Sequence, residues 1–162
     1  MEVDLRPPRH PVEPRAIRWW TARALVWVLP PVLVLALLAA LIPPARPWLL
    51  ATLLLVAVPG LGYTLCMPRQ RYRIHRWEIT EEAVYAASGW LWRTWRVAPM
   101  SRIQTVDTVR GPLQQVFGLS GVKVTTASAA GSIRIQGLDR HQATDLVEHL
   151  TARAQAVPGD AT

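Results

Sequence analysis

Two apolar runs without a charged side chain, Ala24 to Ile42 and Trp48 to Met67, stand back to back in the first half of the chain. Only Pro43, Pro44, Ala45, Arg46 and Pro47 separate them. A helix rises about 1.5 Å per residue and the apolar core of a bilayer is about 30 Å thick, so each run is long enough to cross. The pattern predicts a two-span transmembrane hairpin over residues 19–68. Pro30 and Pro31 in the first run, and Pro59 with Gly60 and Gly62 in the second, predict kinks. Trp19, Trp20 and Trp48 fall where the membrane–water interfaces are expected, with Trp27 facing lipid. A cleaved signal peptide fits poorly, because the first run exceeds the usual 7–15 residues and no A-x-A site follows.

Beyond the second run the periodicity shortens. Tyr72–Thr80 alternates and reads as a strand, as do Val84–Ser88, Arg93–Val97, Arg102–Arg110, Val122–Thr126 and Ser132–Gln136. In Arg102–Arg110 the apolar residues Ile103, Val106 and Val109 are three apart, which predicts a bulge or bend. Leu113–Phe117 predicts one helical turn. From Asp139, with Gln142 completing a capping box, Ala143, Leu146, Val147, Leu150 and Ala154 form the stripe of an amphipathic helix. About six strands followed by one helix make a small sheet or barrel with an apolar cap. The expected organisation is a disordered arm (1–18), the hairpin (19–68), a polar domain (69–154) and a disordered tail (155–162).

The net charge of +7 changes the picture only through its placement. Arg6, Arg9, Arg15, Arg18 and Arg23 precede the first run, Arg69, Arg71, Arg73 and Arg76 follow the second, and the connecting loop holds Arg46 alone. This is the positive-inside distribution, so both termini are expected to be cytoplasmic and the basic balance needs no nucleic acid to explain it. The absence of a charged residue within either run argues against a transporter or pump. Cys66 is the single cysteine, so no internal disulfide is expected.

The polar half carries a recognisable series. Arg71-Tyr72-Arg73-Ile74 is followed by Gly89-Trp90-Leu91-Trp92-Arg93, Pro99, Ser101-Arg102-Ile103-Gln104-x-Val106, Gly111-Pro112-Leu113, Phe117-Gly118-Leu119, Val124-x-Thr126-Ala127 and Ile133-x-Ile135-x-Gly137-Leu138. In this order it resembles the membrane-flanked bacterial pleckstrin-homology-like (PH-like) family of the YdbS type. Arg110 and Ser128 depart from that family's usual Gln and Gly. The resemblance implies an α+β fold. In it the hairpin precedes a PH-like domain, a curved antiparallel sheet or partial barrel of about seven strands capped by a C-terminal helix. It implies the bacterial plasma membrane, and no enzyme activity or cofactor.

Three sets of residues are candidates for contact. Arg69, Arg71, Arg73 and Arg76 suit anionic lipid headgroups. The loop Thr80-Glu81-Glu82, where phosphoinositide-binding relatives of the fold carry basic residues, is acidic and disfavours such recognition. Trp90, Trp92 and Trp95 beside Arg93 and Arg96 have the composition of a protein interface. His141, Asp145 and His149 at helical spacing read as a solvated face rather than a metal site, and Ser101, His75 and Asp107 lack any hydrolase motif. The combined reading is a non-catalytic, multi-pass membrane module in envelope or stress physiology. It would scaffold at the cytoplasmic face by self-association or through a related PH-like membrane protein, with no small-molecule substrate. Anionic-lipid binding is the alternative.

Overall fold

Proline shapes both ends of the hairpin. The first helix, α1 (Arg15–Leu41), starts behind Pro14; the second, α2 (Arg46–Ile74), carries Pro47 in its first turn, where a missing N–H costs nothing. A single 3-10 turn, Pro43–Ala45, joins them. In the computed structural model, which describes residues 8–127 and 131–156, these are the two helices long and apolar enough to cross a membrane. Little of their most apolar stretches is buried, 11% in α1 and 6% in α2, unlike a core helix in a water-soluble protein. Both helices continue through their internal prolines. Gly60 marks their close approach, since a Cβ there would lie 2.7 Å from Val28 Cγ1.

The helices are longer than the spans. With 27 and 29 residues they extend about 40 and 44 Å, against about 30 Å of bilayer core. The excess forms a stalk, and the polar domain packs on it. Trp19 and Trp20 belong to this stalk rather than to the lipid interface. Both are buried in a cluster with Val12, Ala16, Ala24, Met67 and Leu119. Trp48 and Trp27 remain exposed.

The domain contributes β2 (Arg76–Ile79), β3 (Ala83–Gly89), β4 (Arg93–Pro99), β5 (Ile103–Val109), the short helix α3 (Pro112–Val116), β6 (Leu119–Thr126), β7 (Ile133–Asp139) and α4 (Arg140–Ala156). The expected strand at Tyr72–Thr80 is a correction: α2 continues through Ile74 and β2 starts only at Arg76. Arg71 and Arg73 in the last turn of α2 sit where cations complement the helix dipole. The expected bulge is present, as a register shift between Ile103 and Thr105.

With a short strand β1 (His10–Pro11) from the arm, two antiparallel sheets result, in orders β1-β2-β3-β4 and β5-β6-β7. Their inner faces and α4 enclose the main core, built on Val84, Ala98, Val122, Val124, Ile133, Ile135, Leu138, Ala143, Leu146 and Leu150. Asp139 caps α4 by accepting the His141 N–H at 2.9 Å, one residue earlier than a capping box would place it.

The arm differs most from expectation. Residues 1–7 and the tail 157–162 lie outside the described residues, but from Pro8 onward the arm is built into the fold. His10–Pro11 forms β1 on β2, and Val12 is buried. The Glu13 N–H donates to the Gly137 carbonyl on β7 at 2.9 Å, and Arg15 pairs with Asp139. The six residues from His10 to Arg15 thus bridge one sheet to the other. Gly137 permits this: its φ is +80°, and a Cβ would lie 2.9 Å from that of Ala16.

Candidate functional site

The stalk meets the domain at the end of α2. His75 terminates that helix, and its backbone N–H donates to the Arg71 carbonyl at 2.8 Å. The ring Nδ1 lies 3.0 Å from the same oxygen, which can only accept, so the neutral ring carries its proton on Nδ1. His75 is buried, with its ring 5.0 Å from that of Trp20 in an edge-on arrangement. Burial, and then the neighbouring Arg71 guanidinium, lower its pKa from 6.5 to about 4. A helix C-terminus favours a cation by about 0.3–1 kcal/mol at exposed sites, too little to offset that burial.

The four arginines proposed for headgroups do not form one patch. On a helix, Arg69 and Arg73 share a face while Arg71 lies about 200° round from Arg69. Arg71 turns inward over Trp20, 5.0 Å from the ring centroid, and donates to Gln136 Oε1 at 3.4 Å. Arg69 bonds back to the Leu65 carbonyl at 3.1 Å, Arg73 is exposed, and Arg76 on β2 reaches the Arg9 carbonyl at 3.4 Å. Arg71 instead lines an open cavity of about 420 Å³ between the two sheets, together with Arg96, Arg134, Ser88, Thr94 and Gln136. Arg96 donates to the Ser132 carbonyl at 2.8 Å across this gap. Sequence reasoning passed over Arg134. The alternation Ile133-Arg134-Ile135, with both isoleucines buried, was the available signal.

The three tryptophans also separate. Trp90 folds back on α2, edge-on to Tyr63 with centroids 5.2 Å apart. Gly89, at φ +134°, allows the turn that places it there. Trp92 at the tip of the β3–β4 hairpin and Trp95 on β4 stay outside, 85% and 57% exposed. Trp92 precedes and Trp95 lies within β4, the edge strand of its sheet. Tyr63 lies within the second apolar run, so the hairpin tip sits beside the apolar stretch of α2.

His141, Asp145 and His149 are all exposed on α4. Ser101 sits in a 3-10 turn before β5 and Asp107 is exposed on β5, whereas His75 is sealed against Trp20.

The model of the bacterial PH domain family matches residues 24–154. The chain belongs to that family. It is 30% identical over 113 residues to the transmembrane protein YdbS of Bacillus subtilis (strain 168), a match covering 70% of this chain. The matched region spans 65% of that relative's length. No solved structure matches. This bacterial PH domain is thus carried by a membrane protein of YdbS-like type with transmembrane helices, and its α+β fold is the one expected. The family match begins at Ala24, so the arm and the buried tryptophans of the stalk lie outside it.

Proposed function

We propose that this chain is a non-catalytic membrane module that holds a PH-like domain against the cytoplasmic leaflet and there self-associates through the outer edge of β4. Both helices span the bilayer in this reading, with both termini cytoplasmic, in keeping with arginine at the outer ends of the hairpin and Arg46 alone in its turn.

One observation carries the proposal. Within its sheet β4 pairs only with β3, and its first four residues, Arg93 to Arg96, are exposed, Trp95 among them and Trp92 just before. An unpaired edge is a template for another strand, and exposed tryptophan is typical of interface anchors. Arg93 and Arg96 on the same strand discourage indiscriminate pairing. The packing of Trp90 on Tyr63 sets this edge low, beside the bilayer, where a second copy anchored in the same membrane meets it.

The test is energy transfer between donor- and acceptor-labelled copies of the full chain in liposomes at high dilution in lipid. Transfer above that of a non-interacting membrane protein is expected, and Thr94→Pro with Trp95→Glu should reduce it to that background. Equal transfer in wild type and variant sinks the proposal. The alternative of headgroup binding through Arg69, Arg71, Arg73 and Arg76 is weakened by the engagement of Arg71 with Trp20 and Gln136.

A further inference from the structure

A second cavity, larger than the one at Arg71 and sharing Arg134 and Gln136 with it, lies between α1 and the outer face of the β5-β6-β7 sheet. It is an open groove of about 670 Å³, within the range of ligand sites. Its α1 wall is a single helical face: Trp19, Arg23 and Trp27 are four residues apart, and Val26 lies beside them. Arg23 is the last charged residue before the apolar run, which puts it at the height where the membrane begins. Val26 and Trp27, one turn deeper, are exposed, and Trp27 is 74% so.

The sheet wall answers with charge. Lys123 on β6 and Arg134 on β7 are register partners, so two cations stand directly opposite on one face. Like charges in that arrangement are destabilising unless something negative lies between or above them. Among the described residues, no ion pair or side-chain hydrogen bond involves Arg23, Lys123 or Arg134. The nearest carboxylate by register is Asp107, opposite Lys123 on β5, where Thr105 donates to it at 3.5 Å. Three cations against one carboxylate leave the groove positive. Leu113 on α3 continues its apolar wall toward Trp27.

We infer that this groove holds one anionic glycerophospholipid drawn from the adjoining leaflet. Its headgroup phosphate sits among Arg23, Lys123 and Arg134, and its acyl chains leave along Val26 and Trp27. Charge complementarity selects the anion. The apolar wall is continuous with the membrane-facing side of α1, which favours a lipid over a soluble phosphate. The site differs from the juxtamembrane arginines of α2 and does not depend on self-association.

The test uses the full chain in nanodiscs of phosphatidylcholine containing phosphatidylglycerol, with the lipids retained on the monomer counted by native mass spectrometry. Wild type should retain phosphatidylglycerol in preference to phosphatidylcholine. Lys123→Gln with Arg134→Gln should lower that preference roughly fivefold for each cation removed, while Arg69→Gln with Arg73→Gln should leave it within about twofold. Both pairs are exposed or half-buried, and tryptophan fluorescence verifies that the variants are folded. Equal retention by wild type and the groove variant overturns the inference. Equal losses in both variants would mean diffuse surface charge and overturn it too, as would full displacement of the lipid by millimolar inorganic phosphate.

Discussion

Acid should destabilise this protein through one buried imidazole. His75 is 4% exposed, its ring faces Trp20, and Arg71 is the nearest charge. Its pKa is about 4 in the folded chain and 6.5 when free in water. The unfolded chain therefore takes up the proton first. The contribution of neutral His75 to stability is complete above about pH 6.5 and declines as the pH falls toward 4. By linkage the loss is about 2 kcal/mol at pH 5 and about 3 kcal/mol below pH 4. Against a total of 5–15 kcal/mol for a typical domain, that is a large fraction.

The assay is denaturant unfolding of the full chain in detergent micelles, read by its eight tryptophans, at pH 7 and pH 5. The reference is His75→Gln, which keeps a donor for the Arg71 carbonyl and removes the titration. His10, His141 and His149 are exposed and common to both proteins. Wild type should lose about 2 kcal/mol more than the variant between these two pH values. An identical loss in both, or an NMR titration placing the His75 ring near 6.5, would refute the reasoning.

Three further outcomes are expected. Gly137→Ala puts a side chain at φ +80° and 2.9 Å from the Ala16 Cβ; it should cost about 2 kcal/mol and release the Glu13 amide to fast hydrogen exchange, and unchanged protection there would refute the docking of the arm. Asp139→Ala removes the acceptor for the His141 N–H and should cost about 1 kcal/mol in thermal unfolding, whereas Asp139→Asn, which keeps the cap, should cost much less. Gly60→Leu, placed where Val28 is already 2.7 Å from a Cβ, should widen the α1–α2 distance measured by spin labels, and an unchanged distance would contradict the close approach.

What could be read from the sequence was what is encoded locally. Two charge-free runs mark the helices, and alternation between valine or isoleucine and polar residues marks the later strands. The three-residue spacing of Ile103, Val106 and Val109 marks a bulge that is present between Ile103 and Thr105. What was missed depends on partners distant in sequence. His10–Pro11 has no strand signal of its own and becomes β1 only because β2 offers it an edge. Trp19 and Trp20 look like interfacial anchors until the domain folds back over them. Arg71 looked equivalent to Arg69 and Arg73 because Tyr72–Ile74 was read with a strand's period. On a helix it points the other way, into the cavity with Arg96 and Arg134.

The arm and the stalk make the hairpin and the domain mechanically one body. An exposed tether would let the PH-like domain tumble above the bilayer. Here α1 and α2 extend beyond their apolar runs still helical, and Trp20 packs on Arg71 and His75 of α2 and shares a buried cluster with Leu119 of β6. The arm then crosses from β2 to β7 and fastens the helix start to the far sheet through Gly137 and Asp139. In the proposed topology a domain held this way presents a fixed face to the lipid. That fixed orientation gives the groove beside Arg23 and the free edge of β4 their meaning. In the proposed reading a lipid enters the groove from the leaflet, and a neighbour in the same membrane reaches the edge. Loosening the arm should therefore weaken both without touching either.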